Sequence, residues 1–233
     1  GCPIAAPSAN LFGYTSPTEA RAVAEDLGGK IDAVLDGGPS KVGVESTVIK
    51  IENGKIFLLR PGGITVEEIE KAAGLKVIRN FKFSKKESPG LMKSHYAPKV
   101  PLVLMGESPA GFVKKSRHLK KEWLGKGHAW PKIACISFSG KYPAGLFSSQ
   151  IVLSSKKDLY AAASRLFHAI RKLDKMAPCV IVASSFPAKG IGLAVRDRLE
   201  KASGGKYGWN DFMRVIASKA PARQSFSGGK QSI

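Results

Sequence analysis

The residues best suited to chemistry are short hydroxyl and amide side chains beside glycine and proline. Pro7-Ser8-Ala9-Asn10 joins a short apolar run to a loop through small residues and two short polar side chains. Small residues let a ligand approach the backbone, while a hydroxyl and an amide supply donors to phosphate oxygens. Asx and Ser turns use the same residues, so a plain turn is the alternative. Ser16-Pro17-Thr18-Glu19 has serine at an N-cap, proline at the first helical position and glutamate at the third. A helix start is also an anion site, so Ser16 can cap and meet a phosphate together. Gly43-Val44-Glu45-Ser46-Thr47-Val48 sets hydroxyls where a loop meets a strand. They form either a clamp on an amino acid's carboxylate or amine, or an ordinary strand edge. Arg60 follows Ile56-Phe57-Leu58-Leu59 and precedes Pro61-Gly62-Gly63. A guanidinium held at a strand end by a stiff turn suits bidentate phosphate or carboxylate binding. An arginine that only snorkels to solvent has the same local sequence.

Other chemistries lack their residues. His95, His118, His128 and His168 show no metal-ligand spacing, and His168 falls in a helical pattern as a half-buried structural residue. Cys2, Cys135 and Cys179 are odd in number and far apart, which fits a reduced, cytoplasmic protein. Gly190-Ile191-Gly192 has the start of a dinucleotide fingerprint, but Val195 stands where the third glycine belongs. A turn leading into a helix explains it better. There is no Ser-His-Asp elbow, Walker loop, zinc cluster or paired-carboxylate signature.

The elements that must position these side chains fall into two groups. In the first, a strand is expected at Ile4 to Ala6, then a helix from Ser16 to about Leu27, stopped by Gly28-Gly29. A strand at Ala33 to Leu35 ends in Asp36-Gly37-Gly38-Pro39. Strands at Ser46 to Ile51 and Lys55 to Leu59 are joined by Asn53-Gly54, a strong hairpin signal. Thr65 and Glu68 form a capping box for a helix ending at Gly74. Residues 80 to 99 read as a linker, rich in lysine and then in proline and glycine, yet with Met92, His95 and Tyr96. Beyond it, strands are expected at Pro101 to Met105, Ile133 to Phe138 and Val180 to Ala183. A helix carries Leu159, Ala162, Ala163, Leu166, Phe167, Ile170 and Leu173, with Ser155 and Asp158 as its capping box. Helices at Leu193 to about Ala202 and Trp209 to Ser218 follow. This strand–helix–strand alternation predicts a parallel, doubly wound sheet.

Charge divides the chain in the same place. Residues 1 to 75 carry seven Lys/Arg against ten Asp/Glu, a net −3, while residues 76 to 233 carry thirty against eight, a net +22. Such asymmetry predicts two units with different surfaces. The basic half could draw in RNA or nucleotides, or its lysines could simply keep it in solution. No apolar run approaches the roughly 18 residues that span a bilayer. The start, Gly1 to Pro7, lacks the basic flank and long apolar stretch of a signal peptide.

Five segments, in this order and spacing, resemble the latter half of a YrdC-like domain: Pro3 to Asn10, Ser16-Pro17-Thr18, Leu35-Asp36-Gly37-Gly38, Glu45-Ser46-Thr47-Val48 and Leu59-Arg60-Pro61-Gly62. Ser88-Pro89-Gly90 through His95-Tyr96-Ala97-Pro98, and Gly190-Ile191-Gly192 through Asp197-Arg198-Leu199, are similar to the linker and C-terminal domain of the two-domain threonylcarbamoyl-AMP synthase family. The resemblance implies an α/β protein: half of a YrdC-like twisted-sheet domain (1–79), a linker and lid (80–99), a Rossmann-like accessory domain (100–220) and a basic flexible tail (221–233).

The family makes threonylcarbamoyl-adenylate and pyrophosphate from L-threonine, bicarbonate and ATP, for modification of adenosine in tRNA. By resemblance, Ser8, Asn10, Ser16, Arg60 and Tyr96 contact ATP, with Tyr96 on the lid, and Ala6 and Ser46 line the threonine site. Mg2+ arrives with ATP, held by its phosphates. Double-stranded or transfer RNA is a possible partner for the basic half, and no membrane is implied. The family's first half, with a Lys-x-Arg pair facing Ser-x-Asn, has no counterpart in these residues. The expectation is that this chain alone is inactive or nearly so, with folding of residues 1 to 75 compromised. A non-catalytic nucleotide- or RNA-binding module is the alternative. A hydrogenase-maturation carbamoyltransferase would also contain a YrdC-like domain, but it calls for acylphosphatase and zinc-binding segments.

Overall fold

The computed structural model describes residues 1–3, 5–79, 96–106 and 108–219. They form two sheets, one of three strands and one of four. The smaller grows from the Asn-Gly hairpin: β1 (Val48–Glu52) pairs antiparallel with β2 (Lys55–Arg60), Glu52 opposite Lys55. Asn53 at φ 51° and Gly54 at φ 68° give the two left-handed residues of a type I′ turn. A helix, α2 (Val66–Ala73), then returns the chain to β3 (Val77–Ile78), parallel to β2. The expected capping box is present. Thr65 Oγ1 accepts from the Glu68 N–H at 3.3 Å, and Glu68 Oε2 accepts from the Thr65 N–H at 2.7 Å. Ile56, Leu58, Val66 and Val77 form a small core between sheet and helix.

Three local expectations fail upstream. Helix α1 is Ala20–Leu27, not a helix from Pro17, and its N-cap residue is Glu19 with no side-chain cap. The Ser16 hydroxyl is spent elsewhere, donating to Glu45 Oε1 at 2.8 Å. No strand forms at Ala33 to Leu35, where residues 28–42 are irregular and exposed throughout. An extended segment becomes a strand only by exchanging hydrogen bonds with a neighbour, and none of the described residues pairs with it. Ala5 and Ala6 are likewise irregular, and Ile4 lies outside the described residues. So do most of the expected linker and all of the expected tail.

The larger sheet is the expected parallel one. Its strands are β4 (Leu102–Leu104), β5 (Ile133–Ser137), β6 (Ser149–Val152) and β7 (Val180–Ala183), in the order β4-β7-β5-β6. Alternation along each strand sends side chains to opposite faces. Leu102, Ala134, Ile136, Ile181 and Ala183 face α4 (Leu159–Lys175) and α5 (Gly192–Ser203). Val103, Ile133, Cys135, Val180 and Val182 face α3 (Pro109–Gly125) and α6 (Gly208–Lys219). Both faces are covered over β4, β5 and β7, which is why these three strands are apolar apart from Ser137, while the edge strand β6 is only half-buried. Asp158 caps α4 by accepting from the Tyr160 and Ala161 N–H groups at 2.8 and 3.2 Å. The box expected from Ser155 is replaced by Ser154, whose hydroxyl accepts from the Asp158 N–H at 2.9 Å.

The two units meet along α4 and α5. Arg171, 6% exposed, donates to Asp26 Oδ1 at 3.0 Å and to the Thr15 carbonyl at 2.6 Å. The Tyr14 hydroxyl donates to Asp174 Oδ2 at 2.7 Å, and burial together with that carboxylate pushes its pKa well up. Lys175 pairs with Glu25 at 2.6 Å. His168, expected half-buried, is exposed and lies 3.1 Å from Glu19. Its position on the helix puts it at the rim of this contact rather than in the core.

Candidate functional site

Ser8 and Ser16 line one cavity of about 320 Å3 together with Ser40, Gly43, Glu45 and Phe167. It lies where loops of the first unit meet α4. Two larger cavities, of about 420 and 720 Å3, contain none of the residues expected at the ATP or threonine site. Volume does not pick out the polar site; the convergence of hydroxyls does.

Glu45 organises one side of this cavity. Its Oε1 accepts from Ser16 Oγ at 2.8 Å and its Oε2 accepts from Arg198 Nε at 2.6 Å. Burial alone would push this carboxyl's pKa up, but the Arg198 charge and the hydrogen bonds from Arg198 and Ser16 hold it below its ordinary value. Arg198 is fully buried. Burial disfavours its charge, yet Glu45 and Asp197 overcome this and raise its pKa. The site therefore has a carboxylate and a guanidinium, both ionised at neutral pH, fixed beside a hydroxyl.

Ser46 and Arg60 are brought together. Arg60, 8% exposed, donates through Nε and Nη2 to the Ser46 carbonyl at 3.1 and 2.9 Å, and through Nη2 to Ser46 Oγ at 3.2 Å. It does not snorkel to solvent. Neither residue lines the cavity, but Ser46 follows Glu45 in the chain and so borders it. The tie is reinforced: the Gly63 N–H donates to the Glu45 carbonyl at 3.0 Å, and the Thr47 hydroxyl donates to the Ile64 carbonyl. The Arg60-Pro61-Gly62-Gly63 turn thus clamps residues 45–47.

The remaining candidates are placed less directly. Asn10 donates its amide to the Leu11 and Tyr14 carbonyls at 2.8 and 3.2 Å, closing its own turn, and its buried Oδ1 has no partner among the described residues. It does not line the cavity that Ser8 lines. Ala6 is exposed and does not line it. Tyr96 is 2% exposed and packs on Phe167, with ring centroids 5.4 Å apart. The Arg198 guanidinium lies 5.3 Å from its ring centre, and its carbonyl accepts from the Thr15 hydroxyl at 3.2 Å. Tyr96 is thus a packed residue behind the cavity in this conformation, and the rest of the expected lid lies outside the described residues. The doubtful dinucleotide motif is a turn into α5, with Gly190 at φ 51°.

Sequence reasoning gave no role to Glu45 or Arg198, although both stood inside quoted motifs. They are 153 positions apart, and no local spacing announces such a pair.

Comparison with known proteins bears on the same two units. Residues 64–204 match the family model described as threonylcarbamoyl-AMP synthase, C-terminal domain, and residues 1–62 match one described as telomere recombination. The chain is 41% identical over 211 residues to the threonylcarbamoyl-AMP synthase of Bacillus subtilis (strain 168), covering 88% of this chain and 58% of that protein. It is 40% identical over 206 residues to the enzyme of that name from Pyrococcus abyssi (strain GE5 / Orsay), covering 87% and 58%. A crystal structure of P. abyssi Sua5 complexed with L-threonine superposes with a TM-score of 0.73 at 36% identity, covering 87% of this chain and 58% of that one. The chain therefore spans a little over half the length of these relatives. With both units matched in order and the second sheet parallel as expected, the chain belongs to the threonylcarbamoyl-AMP synthase family.

Proposed function

We propose that this protein joins L-threonine, bicarbonate and ATP into threonylcarbamoyl-adenylate, releasing pyrophosphate, for modification of adenosine in tRNA. The observation that carries this is the cavity shared by Ser8 and Ser16, beside the Arg60–Ser46 clamp, in a chain of this family. In such a reaction the carboxylate of a threonine carbamate attacks the α-phosphorus while charge builds on phosphate oxygens. Catalysis then needs positioning and electrostatic stabilisation more than a nucleophilic side chain. Ser8 supplies a hydroxyl at the triphosphate, Ser16, its hydroxyl donating to Glu45, borders ATP in the same cavity, and Asn10 holds the turn that carries Ser8. Arg60 contacts ATP and, through its bonds to Ser46, sets that hydroxyl beside the threonine subsite, where Ala6 leaves room for the substrate. Tyr96 anchors the segment that would close over the nucleotide.

Among the described residues no three His, Cys, Asp or Glu side chains gather to hold a metal. Mg2+ would come with ATP, held chiefly by phosphate oxygens, and would supply charge neutralisation there. Several large apolar side chains of the first unit are bare, among them Phe12 at 88% and Leu35 at 96% exposed. A further half of the YrdC-like domain, bearing the Lys-x-Arg pair, would cover them.

The test is pyrophosphate release with threonine, bicarbonate and ATP, with and without the N-terminal half of a full-length relative. Threonine-dependent release is expected only with that half. Release by the chain alone near a full-length relative's rate would remove the dependence. In the reconstituted system, Arg60→Ala should weaken ATP binding about ten- to a hundredfold, the value of a charge-assisted contact. Unchanged affinity would free Arg60 of that role.

A second reading, RNA contact through the basic half, is favoured by α3. Lys114, Lys115, Arg117, His118, Lys120 and Lys121 fall within eight residues of it, and all but Lys120 are exposed. A cavity of about 720 Å3 runs beside Lys114, Lys115 and Trp209, with Lys115 Nζ 6.0 Å from the indole centre. Lysines with an adjacent aromatic suit phosphates and a stacked base. Replacing Lys114, Lys115 and Lys121 by alanine should lower the slope of log affinity for tRNA against log salt by about one per lysine. An unchanged slope would place RNA elsewhere or nowhere on this unit.

A further inference from the structure

The Glu45 carboxylate has one oxygen committed to each unit. Oε1 holds Ser16, in the loop before α1, and Oε2 holds Arg198, on α5 of the second unit. Arg198 is itself fixed on several sides. It donates through Nη1 to Asp197 Oδ2, which Lys201 Nζ also contacts at 2.8 Å. Its guanidinium lies against the Tyr96 ring. Among the described residues its buried Nη2 has no hydrogen-bond acceptor.

Nor is α5 free to shift. A Cβ at Gly192 would stand 2.4 Å from the Pro187 carbonyl oxygen, so the start of the helix is pressed against its own lead-in turn. One residue on, Leu193 packs on the small core of the first unit, and the Gly190 N–H reaches Glu67 Oε1 at 3.3 Å. The helix is wedged into the first unit at its start and grips Glu45 from its middle.

A fully buried guanidinium is a costly way to gain stability, because apolar side chains of similar volume often do as well or better. The best-attested return for such a buried pair is a fixed geometry. Here the geometry fixed is that of a carboxylate which directly holds a cavity hydroxyl.

We infer that Arg198 is a positioning residue for the candidate site, acting through Glu45 on Ser16 and on the Gly43–Glu45 wall. The inference rests on the reading of that cavity as the nucleotide site. It makes nucleotide binding in the first unit depend on the seating of α5. The accessory unit is then part of the site's construction rather than an independent platform.

The experiment uses the full chain with Arg198→Met, Glu45→Gln and the double variant. Amide hydrogen exchange is read on peptides covering 14–18 and 42–47, with those of β5 and β7 as internal controls, and ATP and L-threonine are each titrated alone by calorimetry. Either single variant should speed exchange in the two site peptides about tenfold, as expected for a coupled charge pair, and leave the sheet protected. The double variant should add nothing further, because the two side chains act as one. ATP affinity should fall by a similar factor. Site peptides that keep wild-type exchange, or a loss of protection spread equally over β5 and β7, would overturn the inference. So would wild-type ATP affinity in both single variants. If the unaltered chain binds no ATP even with the N-terminal half of a full-length relative added, while the local exchange effect is present, the nucleotide reading falls and the positioning by Arg198 stands. Glu45→Gln keeps the result decisive should Arg198→Met fail to fold, since Glu45 is only partly buried.

Discussion

Gly62→Ala should destabilise the protein by about 3 kcal/mol and abolish ordered binding at the candidate site. A Cβ at Gly62 would fall 2.3 Å from the Glu45 carbonyl oxygen, the Ser46 carbonyl carbon and the Thr47 nitrogen. All three are backbone atoms, so no side chain can swing aside to admit it. The turn would have to part from residues 45–47. That separation would break the Gly63 bond to Glu45 and the Arg60 bonds to the Ser46 carbonyl. Glu45 would then no longer present its two oxygens to Ser16 and Arg198. Urea unfolding gives the stability loss, and ATP titration gives the loss at the site. Gly37→Ala is the control, because a Cβ there has nothing within 4 Å; it should stay within about 0.5 kcal/mol of wild type. A Gly62→Ala protein matching that control would mean the turn is not pressed against the site wall.

The same turn shows what could be read from sequence and what could not. Arg60-Pro61-Gly62-Gly63 was legible as a stiff turn holding a guanidinium, because proline and glycine announce local backbone geometry. That the guanidinium grips the Ser46 carbonyl was not legible, since the contact joins the two ends of the hairpin just beyond a register shift between Val48 and Ile49. The hairpin at Asn53-Gly54, the Thr65 capping box and the apolar strands β5 and β7 were found for the same local reasons. Helix α3 was missed because only Phe112, Val113 and Ser116 of its 17 residues are buried, leaving a faint apolar stripe among lysines. Ser16 was misread as a cap because its local pattern is right, yet Glu45 outcompetes the helix for its hydroxyl. Glu45–Arg198 and Asp26–Arg171 span 153 and 145 positions, and such pairs are created by the docking of units.

That docking yields the other large expected effect. Arg171→Met should cost about 3–5 kcal/mol, the usual consequence of removing one partner from a buried ion pair. The side chains of Arg171 and Asp26 are each only 7% exposed, so Asp26 would be left charged with little water to replace its partner. The Thr15 carbonyl would lose its 2.6 Å donor as well, and with it goes the support beneath Ser16. The neighbouring Lys175–Glu25 pair gives the contrast: its side chains are 56% and 33% exposed, and Lys175→Ala should cost less than about 1 kcal/mol. The double change Asp26→Leu with Arg171→Met removes both charges together. It should recover most of the loss, because an apolar pair of similar size needs no compensation for desolvation. Chemical denaturation of the three proteins separates the possibilities. If Arg171→Met costs no more than Lys175→Ala, then water reaches Asp26 and the units are not joined by a desolvated charge. If the double change is no better than Arg171→Met, the stability lies in the hydrogen bond to Thr15. In that case the carbonyl, rather than the carboxylate, is what seats the first unit on α4.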